Sequence, residues 1–377
     1  MQCRADTDCS GSTPVCNENA CVQCVANSDC SGATPVCTDN TCRGCGSNSD
    51  CSSGACQATT GTCIASTALL YTSPAGTVTD ACTQDDPCAL SHAFALAALG
   101  RNTISMGPGT YAETFTVSAG TNAIVFGNDA VIASAIAFLG SSQIDLEDLT
   151  LGSGFSCTGT SPTTMTTLSM EGVTLDELPF NGNDPVTYCD LSLLQTVQMG
   201  FVSAVGGTLA LTNSKLEMDR SALSVLHVID TGLPSQGTTV TITNSLVNVI
   251  NKVSGDDIDI NVSFSTFTNN PTLCVSATDS MAVEHFSNDI FSTKPDFVTA
   301  PTCFDHDLLN ATGSAMVAPG LTEANIGFVD PTNGDFHLKA GSPAIDAADP
   351  AATDSVDYDG VSRPQGAGRD VGAFEFH

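Results

Sequence analysis

The sequence predicts an all-β protein built on a parallel β-helix of about nine coils, preceded by a small disulfide-rich repeat domain. Three observations support this fold class. Twelve of the 18 cysteines lie in the first 63 residues, short apolar segments recur after residue 102, and Gly, Asn and Asp separate these segments. A repeat period of roughly 20–24 residues is typical of solenoids, in which each coil covers the apolar face of the next.

The first 63 residues (1–63) contain three cysteine units of similar spacing. The units are Cys3, Cys9, Cys16 and Cys21; Cys24, Cys30, Cys37 and Cys42; and Cys45, Cys51, Cys56 and Cys63. So short a segment, with few large apolar side chains, needs cross-links to be stable, which predicts disulfides. Zinc is the alternative because Cys21-x2-Cys24 and Cys42-x2-Cys45 have suitable spacing, although each pair straddles a boundary between units.

Disulfides predict an oxidising compartment, so we expect a secreted or cell-surface protein. Met1-Gln2-Cys3 leads into the first unit without an apolar leader, so the expected exported form is a processed one. No run of 18 apolar residues is present, and we therefore expect no insertion into a membrane.

The charge of the chain restricts its partners. Ten Lys and Arg residues against 41 Asp and Glu residues give a net charge of −31. Nucleic-acid binding depends on clustered basic residues that release counterions from phosphates, so neither nucleic acid nor an anionic membrane is an expected partner. Trp is absent and Tyr occurs only 4 times, which weakens the case for an enzyme that stacks sugar rings.

Residues 64–79 are predicted to be a linker that becomes a first strand, and residues 80–100 a capping region. Cys82 and Cys88 bracket TQDDP, and the segment ALSHAFALAAL that follows has apolar residues at helical spacing. Gly100 is suited to end this helix. A helix here would cover the open apolar end of the first coil, as solenoids require.

Residues 101–335 are predicted to form the β-helix from a nine-residue template, x-h-x-h-x-x-x-x-h, in which h is apolar. Nine windows fit it, two of them weakly because Gln198 and His285 occupy apolar positions: 103–111, 123–131, 143–151, 167–175, 190–198, 208–216, 239–247, 259–267 and 282–290. Each window holds a short strand, a bend and one more apolar residue, and stacked windows would bury a continuous column.

The template also predicts a tight bend at its sixth position. Asn128, Asp148, Asn213 and Asn244 occupy this position. Asn and Asp tolerate left-handed backbone angles and form local hydrogen bonds, which suits such a bend.

Two segments resemble known β-helix proteins. NTISMGPGTYAETFTV (102–117) resembles the opening coil of right-handed β-helix proteins of the pectin-lyase-like superfamily. Residues 336–376, which begin FHLKAGSPAIDAADP and end DVGAFEF, resemble the tail of bacterial β-helix surface proteins of the choice-of-anchor Q type. The cysteine units are similar to repeats on secreted proteins of myxobacteria-like organisms.

The resemblance covers residues 80–377. It implies a right-handed β-helix, an exported protein, and residues 336–377 as a closing segment. A minority of the superfamily cleaves polysaccharides, so the resemblance also implies polysaccharide lyase or hydrolase activity as an alternative function.

Two aspartate clusters are the nearest candidates for a polysaccharide-cleaving site. They are Asp256, Asp257 and Asp259 in GDDIDI, and the Asp-His-Asp run at 305–307. A hydrolase of this kind needs one carboxyl group as acid and another as base, with a cation that holds the uronate. Lys252 is the only basic residue near the first cluster, so solvated aspartates in turns are the preferred interpretation.

A lyase would instead need calcium and a basic residue. Lys215, Arg220 and Lys252 are the candidates for that base. Lys215 and Arg220 lie beside Glu217 and Asp219 in KLEMDR, where surface ion pairing is the simpler interpretation.

Asp354, Asp357 and Asp359, in DSVDYDG, have a spacing typical of oxygen-rich calcium loops, although no Glu completes an EF-hand pattern. Arg363 and Arg369 follow closely. The preferred prediction is Asp–Arg pairing that closes the solenoid, and bound Ca²⁺ is the alternative.

Six cysteines lie outside the three units. The pairs considered for them are Cys82–Cys88, Cys157–Cys189 and Cys274–Cys303. Six cysteines allow 15 connectivities, so the sequence leaves this pairing open.

Together these patterns predict a non-enzymatic, extracellular or cell-surface protein with a structural or adhesive role and no cofactor. The expected partners are other copies of the chain, through filaments formed by the disulfide-rich head, or surface glycans. The alternative is an extracellular protein that binds or cleaves polysaccharide on the outer face of its coils.

Overall fold

The computed structural model describes the chain outside twelve short gaps: 1–2, 58–59, 100–101, 162–163, 176–185, 199–207, 213, 230–236, 255–257, 270–282, 293–302 and 311–320. The described residues include one α-helix, α1 (Leu90–Ala97), and short 3-10 helices at Asp6–Asp8, Asn27–Asp29, Asn48–Asp50, Ser66–Ala68 and Pro331–Asn333. None of these helices is long and apolar enough to cross a membrane. The chain forms two compact units, residues 1–111 with 123–130, and residues 112–122 with 131–377.

All other regular structure in the described residues is β-strand, numbered here in chain order. The strands are β1 (Val15–Asn17), β2 (Ala20–Val22), β3 (Val36–Thr38), β4 (Thr41–Arg43), β5 (Cys56–Gln57), β6 (Thr62–Cys63), β7 (Leu70–Thr72), β8 (Thr103–Met106), β9 (Thr110–Tyr111), β10 (Phe115–Val117), β11 (Asn122–Ile132), β12 (Ile136–Leu139), β13 (Gln143–Leu151), β14 (Phe155–Thr158), β15 (Thr166–Glu171), β16 (Thr174–Leu175), β17 (Val186–Thr187), β18 (Cys189–Leu194), β19 (Val197–Gln198), β20 (Thr208–Thr212), β21 (Lys215–Asp219), β22 (Ala222–Ile229), β23 (Thr238–Thr243), β24 (Leu246–Ser254), β25 (Ile258–Ser263), β26 (Thr266–Phe267), β27 (Val283–Ser287), β28 (Ile290–Phe291), β29 (Phe304–Asp305), β30 (Asp307–Asn310), β31 (Leu321–Ala324), β32 (Phe328–Asp330) and β33 (Asp335–Leu338).

In the first unit, each cysteine unit folds as a short 3-10 helix followed by an antiparallel hairpin. One aspartate in each unit accepts backbone N–H groups four residues earlier. The distances from these donors to the carboxylates of Asp8, Asp29 and Asp50 are 2.7, 2.8 and 2.8 Å. The repeated TDC and SDC sequences therefore close the same turn three times, and the disulfides supply the remaining cross-links.

The linker and capping region also lie in the first unit. β7 pairs with β8 in parallel, so the strand expected within residues 64–79 is present at Leu70–Thr72. Helix α1 buries Leu90, Ala93, Phe94 and Ala97 and contacts β7 and β8, as expected of a cap. Gly100, predicted to end this helix, lies outside the described residues.

The second unit is a parallel β-helix with three faces. Sheet A consists of β13, β15, β18, β21, β23, β25, β27 and β29. Sheet B consists of β16, β19, β26, β28, β30 and β31, with the first residues of β22 and β24. Sheet C consists of β10, β12, β14, β17 and β20, with the later residues of β22 and β24.

The interior follows the nine-residue template. Its second position forms a column of buried residues paired from strand to strand, each at most 1% exposed: Ile144, Leu168, Leu191, Leu216, Val240 and Ile260. At the ninth position, the rings of Phe267 and Phe291 stack with centroids 4.8 Å apart. Each coil therefore buries its apolar residues mainly against those of the neighbouring coils, so its stability depends on them.

One predicted window is wrong. Residues 208–212 form β20, which belongs to sheet C, and the sheet A strand of that coil is β21. The window is therefore 215–223. Both segments alternate apolar and polar residues, so the template fits both, and only strand pairing distinguishes them.

Two other windows are one residue out of register. Val125, and not Ile124, pairs with Ile104, while Glu284, and not Val283, pairs with Ile260. A slip of one residue exchanges the inner and outer faces of a strand. The error at 282–290 arises because a half-buried glutamate occupies a position that is apolar in the other coils.

The predicted bend is confirmed at Asn128, Asp148 and Asn244, which have φ of 49°, 53° and 48°. Asn213 lies outside the described residues. In the second unit, eight successive coils have a left-handed residue at this position, with φ from 45° to 64°: Asp148, Gly172, Gln195, Arg220, Asn244, Phe264, Asn288 and His306. Gln, Arg and Phe have no intrinsic preference for this conformation, so the stack imposes it on them.

The C-terminal segment, residues 336–377, packs along sheet B. Its apolar residues Val371, Ala373 and Phe374 share one cluster with side chains of successive coils, among them Leu246 and Ile290. The segment is also tied by hydrogen bonds, including one of 2.8 Å from the Gly372 N–H to the Asn288 carbonyl. Gly372 has φ of 95°, and a Cβ there would lie 2.5 Å from a side-chain carbon of Ile290, so only glycine fits.

Candidate functional site

The outer face of sheet A has two columns of short, mostly polar side chains. The third template position contributes one column, which is Ser169, Ser192, Glu217, Thr241 and Asn261. The fifth position contributes the other, which is Glu171, Leu194, Asp219, Thr243 and Ser263. Neighbouring strands lie about 4.8 Å apart, so these columns form a regular, nearly flat surface.

A groove of about 240 Å³ lies in the middle of this surface. Three successive strands line it, with Ser192, Leu193, Leu194, Glu217, Met218, Asp219, Thr241 and Thr243. Glu217 and Asp219 are two residues apart on β21, so both carboxylates lie on the outer face, with Cα atoms roughly 6.6 Å apart. We call this feature the sheet A groove.

Asp219 is held in place at one side of the sheet A groove. Its carboxylate lies 3.2 Å from Nε of Arg220 and accepts a hydrogen bond of 3.3 Å from the Asn244 side-chain amide. Arg220 occupies the bend position directly after β21. The ion pairing expected in KLEMDR is therefore present, while Lys215 is exposed at the start of the same strand.

Two carboxylates stack directly on each other further along sheet A. Glu147 pairs with Glu171 on the next strand. Burial, together with the nearby charges of Glu171, Asp148 and Asp145, raises the pKa of Glu147 from 4.5 to about 7. Near neutral pH, Glu147 therefore retains a proton on part of the molecules and can donate a hydrogen bond.

The GDDIDI candidates are only partly placed. Asp259 is exposed at the start of β25, and its carboxylate accepts a hydrogen bond of 2.7 Å from the side-chain amide of Asn261. Asp256 and Asp257 lie outside the described residues, and the side chain of Lys252 is not described. A catalytic role for the three aspartates stays a prediction.

The FDHD candidates point in different directions. Asp305 and His306 are exposed, and His306 Nδ1 lies 2.8 Å from the Asp305 carboxylate. Asp307 is fully buried, and both of its carboxylate oxygens accept backbone N–H groups, from Asp289 at 2.7 Å and from Asp305 at 3.1 Å. The bend between these residues places Asp305 and Asp307 on opposite sides of the coil wall.

Asp307 belongs to a buried ladder at the seventh template position. Five members each accept a hydrogen bond of 2.6 to 3.2 Å from the backbone N–H of the preceding member, and the first of these N–H groups belongs to Thr196; the acceptors are Ser221, Ser245, Ser265, Asp289 and Asp307. Burial raises the pKa of Asp289 and of Asp307 well above the usual value. The ladder joins six coils through groups that are at most 1% exposed.

The three aspartates of DSVDYDG have separate partners. Asp357 is buried, and its two oxygens accept three backbone N–H groups, from Asp359, Val361 and Glu375. The Asp359 carboxylate lies 2.7 Å from Nε2 of His337. Among the described residues, no group of metal-ligating atoms lying within 4.8 Å of one another includes these aspartates. Calcium at Asp354, Asp357 and Asp359 stays a prediction.

An arginine of this segment forms a buried ion pair, but its partner is a glutamate and not one of the three aspartates. Arg363 and Glu375 form a salt bridge of 3.0 Å, and both side chains are 0% exposed. Arg369 donates from Nε to the backbone carbonyl of Asp354 over 2.7 Å. The expected Asp–Arg pairing is therefore corrected to a buried Arg–Glu pair, because Glu375 reaches the guanidinium from the end of the chain.

The cysteine pairing is now visible. Eight disulfides join Cys3–Cys16, Cys9–Cys21, Cys24–Cys37, Cys30–Cys42, Cys45–Cys56, Cys51–Cys63, Cys82–Cys88 and Cys157–Cys189. Cys303 is also disulfide-bonded, while Cys274 lies outside the described residues. All four sulfurs of the two CxxC pairs belong to disulfides with other cysteines, which removes the thiolates that zinc would need.

The sheet A groove was not found from the sequence, which singled out KLEMDR only for its basic residues. The signal was present, because the third and fifth template positions of every coil must lie on one outer face. Comparing those positions across coils would have placed Ser192, Glu217 and Thr241 side by side.

Comparisons with known proteins give limited matches. A family of unknown function, DUF8331, matches residues 26–69. No curated protein matches the chain. Among solved structures, the crystal structure of pectate lyase Pel9A is 13% identical, with a TM-score of 0.46; the match covers 82% of this chain and 96% of that one.

Proposed function

We propose that the protein is an extracellular β-helix with a structural and adhesive role, and that the outer face of sheet A is its contact surface. The observation that carries this proposal is the register of short polar side chains across successive strands of sheet A. Hydroxyl, amide and carboxylate groups repeated about every 4.8 Å suit hydrogen bonding to an extended polymer.

A rigid support strengthens this proposal. The buried ladder links coil to coil inside the wall, and fully satisfied buried polar networks make a structure rigid. A contact surface on a rigid frame loses little conformational entropy when it binds.

The extracellular location rests on the disulfides. Eight are present among the described residues, and such bonds persist in oxidising compartments. The likeness of residues 336–376 to bacterial β-helix surface proteins points to the same location.

Binding of the purified protein to intact bacterial cells and to immobilised cell-surface polysaccharides tests this function. Thr241→Arg places a long cation in the sheet A groove, whereas Thr158→Arg places it at an exposed position of sheet C as a matched control. We expect Thr241→Arg to lower retention at least about tenfold and Thr158→Arg to leave it unchanged. Equal retention of both variants would remove sheet A from the proposal.

The proposal includes self-assembly through the disulfide-rich head. A head-to-tail contact does not close on itself and therefore generates filaments. Negative-stain electron microscopy of the unreduced protein, compared with a sample reduced before imaging, tests this part. Filaments that disappear on reduction are expected, and isolated particles in both samples would rule out assembly under those conditions.

The second candidate function is binding or cleavage of a polysaccharide in the sheet A groove. The placement of Glu217 and Asp219 two residues apart on one outer face favours it, since glycoside hydrolases use two neighbouring carboxyl groups, one as acid and the other as base or nucleophile. Arg220, next to Asp219, would hold an anionic sugar unit. Products that form with the wild-type protein and fall by at least about a hundredfold with Glu217→Gln or Asp219→Asn would support this function.

A further inference from the structure

Three metal-ligating side chains from two distant segments converge beside the bend of the β29 coil. Asp305 and His306 belong to the coil, while Asp349 comes from the segment between β33 and the chain end. One ligating atom from each lies within 4.8 Å of the other two. All three residues belong to the second unit.

The backbone fixes the direction of each ligand. His306 occupies the left-handed bend position, with φ of 57°. The Asp305 N–H donates to the carboxylate of buried Asp307 over 3.1 Å, and the Asp349 N–H donates to the Asn288 side-chain oxygen over 2.6 Å. The Asp349 carboxylate also accepts the Ala351 N–H over 2.9 Å, so both segments are anchored where they meet.

The donor set selects the type of ion. One imidazole with two carboxylates suits zinc and similar divalent transition metals, whereas calcium prefers oxygen ligands alone. Zinc binds nitrogen and oxygen at about 2.0–2.2 Å in a tetrahedral arrangement, so two of its ligand atoms lie about 3.4 Å apart. Asp305 and His306 are exposed, so their side chains can rotate toward that distance.

A second Asp-His-Asp group in the same unit has the same composition but a different geometry. His337 lies between Asp335, 2.6 Å from Nδ1, and Asp359, 2.7 Å from Nε2. The two carboxylates therefore bind opposite edges of one ring and cannot share a single ion with it. This group is the internal control for composition and local charge.

We propose that Asp305, His306 and Asp349 form a binding site for a divalent transition-metal ion, with Zn²⁺ as the best-suited ion. The ion would join the C-terminal segment to the β29 coil, 43 residues earlier in the chain. The cysteines of the described residues are all disulfide-bonded and offer no competing thiolate.

Isothermal titration of the full-length, unreduced protein with ZnCl₂ tests the proposal, and titration with CaCl₂ tests the choice of ion. We expect one high-affinity Zn²⁺ per chain, a higher melting temperature with Zn²⁺, and no comparable effect of Ca²⁺. Co²⁺ serves as a spectroscopic probe, because its visible absorption reports nitrogen and oxygen ligands directly.

Variants assign the site. His306→Gln and Asp349→Asn should each weaken Zn²⁺ binding at least about tenfold. Loss of a residue that only orients a metal ligand already lowers metal affinity by about ten- to a hundredfold, and loss of the ligand itself should cost at least as much. Asp349→Asn keeps an oxygen for the Ala351 N–H, and His306 is exposed, so we expect both variants to fold. His337→Gln and His285→Gln should bind Zn²⁺ as the wild-type protein does.

Several outcomes would overturn the proposal: no stoichiometric Zn²⁺ binding, wild-type affinity in both ligand variants, or loss of binding in His337→Gln instead. If one ligand variant failed to fold by circular dichroism, the other variant and the Co²⁺ spectrum of the wild-type protein would decide. Preference for Ca²⁺ over Zn²⁺ would also contradict it. None of these results depends on the proposed adhesive function.

Discussion

The buried pair of Arg363 and Glu375 should hold the C-terminal segment in place, and Arg363→Met tests this directly. Both side chains are 0% exposed, so removal of the arginine leaves a buried, unpaired carboxylate. The guanidinium also donates to the carbonyls of Val356, Asp370 and Gly372, over 3.3, 2.9 and 2.7 Å. Its carbon lies 4.8 Å from the ring centre of Phe264, on the bend of a coil.

Truncation of one member of a buried ion pair costs about 3–5 kcal/mol. The three carbonyls that lose their donor add to this cost where water does not reach them. We therefore expect Arg363→Met to lower the free energy of unfolding by an amount in the upper part of that range. If this loss of about 4–5 kcal/mol appears as local opening, the backbone amides of residues 357–376 should exchange with solvent roughly a thousandfold to five-thousandfold faster.

Hydrogen exchange of this segment, with urea unfolding followed by circular dichroism, measures the effect. Arg43→Met is the control, because its ion pair with Asp50 is exposed and should contribute about 0–1 kcal/mol. The double variant Arg363→Met/Glu375→Leu should recover only the part of the loss that comes from the unpaired charge, because the N–H groups of Gln365 and Asp370 also lose the Glu375 oxygens that accept them. Unchanged exchange and a loss below about 1 kcal/mol in Arg363→Met would refute the reasoning.

Three further predictions concern the ladder and two titrating groups. Ser245→Ala should lower the free energy of unfolding by about 1–3 kcal/mol, because the buried Ser221 N–H loses its acceptor, while Ser263→Ala on the outer face should change it by less than about 0.5 kcal/mol. The pKa of Glu147 is raised to about 7, so the wild-type protein loses stability as the pH rises from 4.5 to 7. Glu147→Gln should therefore be more stable than the wild-type protein at pH 8, by about 1 kcal/mol after solvent screening. This gain should be smaller at pH 5. Burial lowers the pKa of His337, but hydrogen bonds to Asp359 and Asp335 raise it above its usual value overall. Protonated His337 therefore stabilises the folded protein fully below pH 6.5, and this stabilisation is lost as the pH rises through the raised pKa. Urea unfolding of His337→Gln at a series of pH values should show no such loss.

Alternation and bend chemistry made the coils predictable from the sequence. Leu168, Leu191 and Val240 recur two residues before another apolar residue, and this spacing matches the period of a strand. Asp148 and Asn244 mark bends because their side chains suit left-handed backbone. Arg220 and Phe264 occupy equivalent bends that their residue types do not indicate, since stacking on neighbouring coils decides their conformation.

Predictions failed where the direction of a side chain depends on a backbone bend or on the packing of distant segments. In the FDHD motif, the bend at His306 turns Asp307 into the wall and leaves Asp305 outside, so the two aspartates do not share one site. The meeting of His306 with Asp349 depends on how a distant segment packs, and no local pattern encodes it. The pairing of Glu375 with Arg363 also depends on how the C-terminal segment packs, so no local pattern encodes it either.

The central claim is that the outer face of sheet A binds an extended polymer without cleaving it. The most direct measurement incubates the full-length, unreduced protein with a panel of acidic and neutral polysaccharides and records retained protein and newly formed chain ends in the same samples. We expect retention that Thr241→Arg lowers at least about tenfold and Thr158→Arg preserves, with no increase in chain ends over time. Chain ends that accumulate with turnover, and that disappear with Glu217→Gln or Asp219→Asn, would contradict it and establish the groove as an active site.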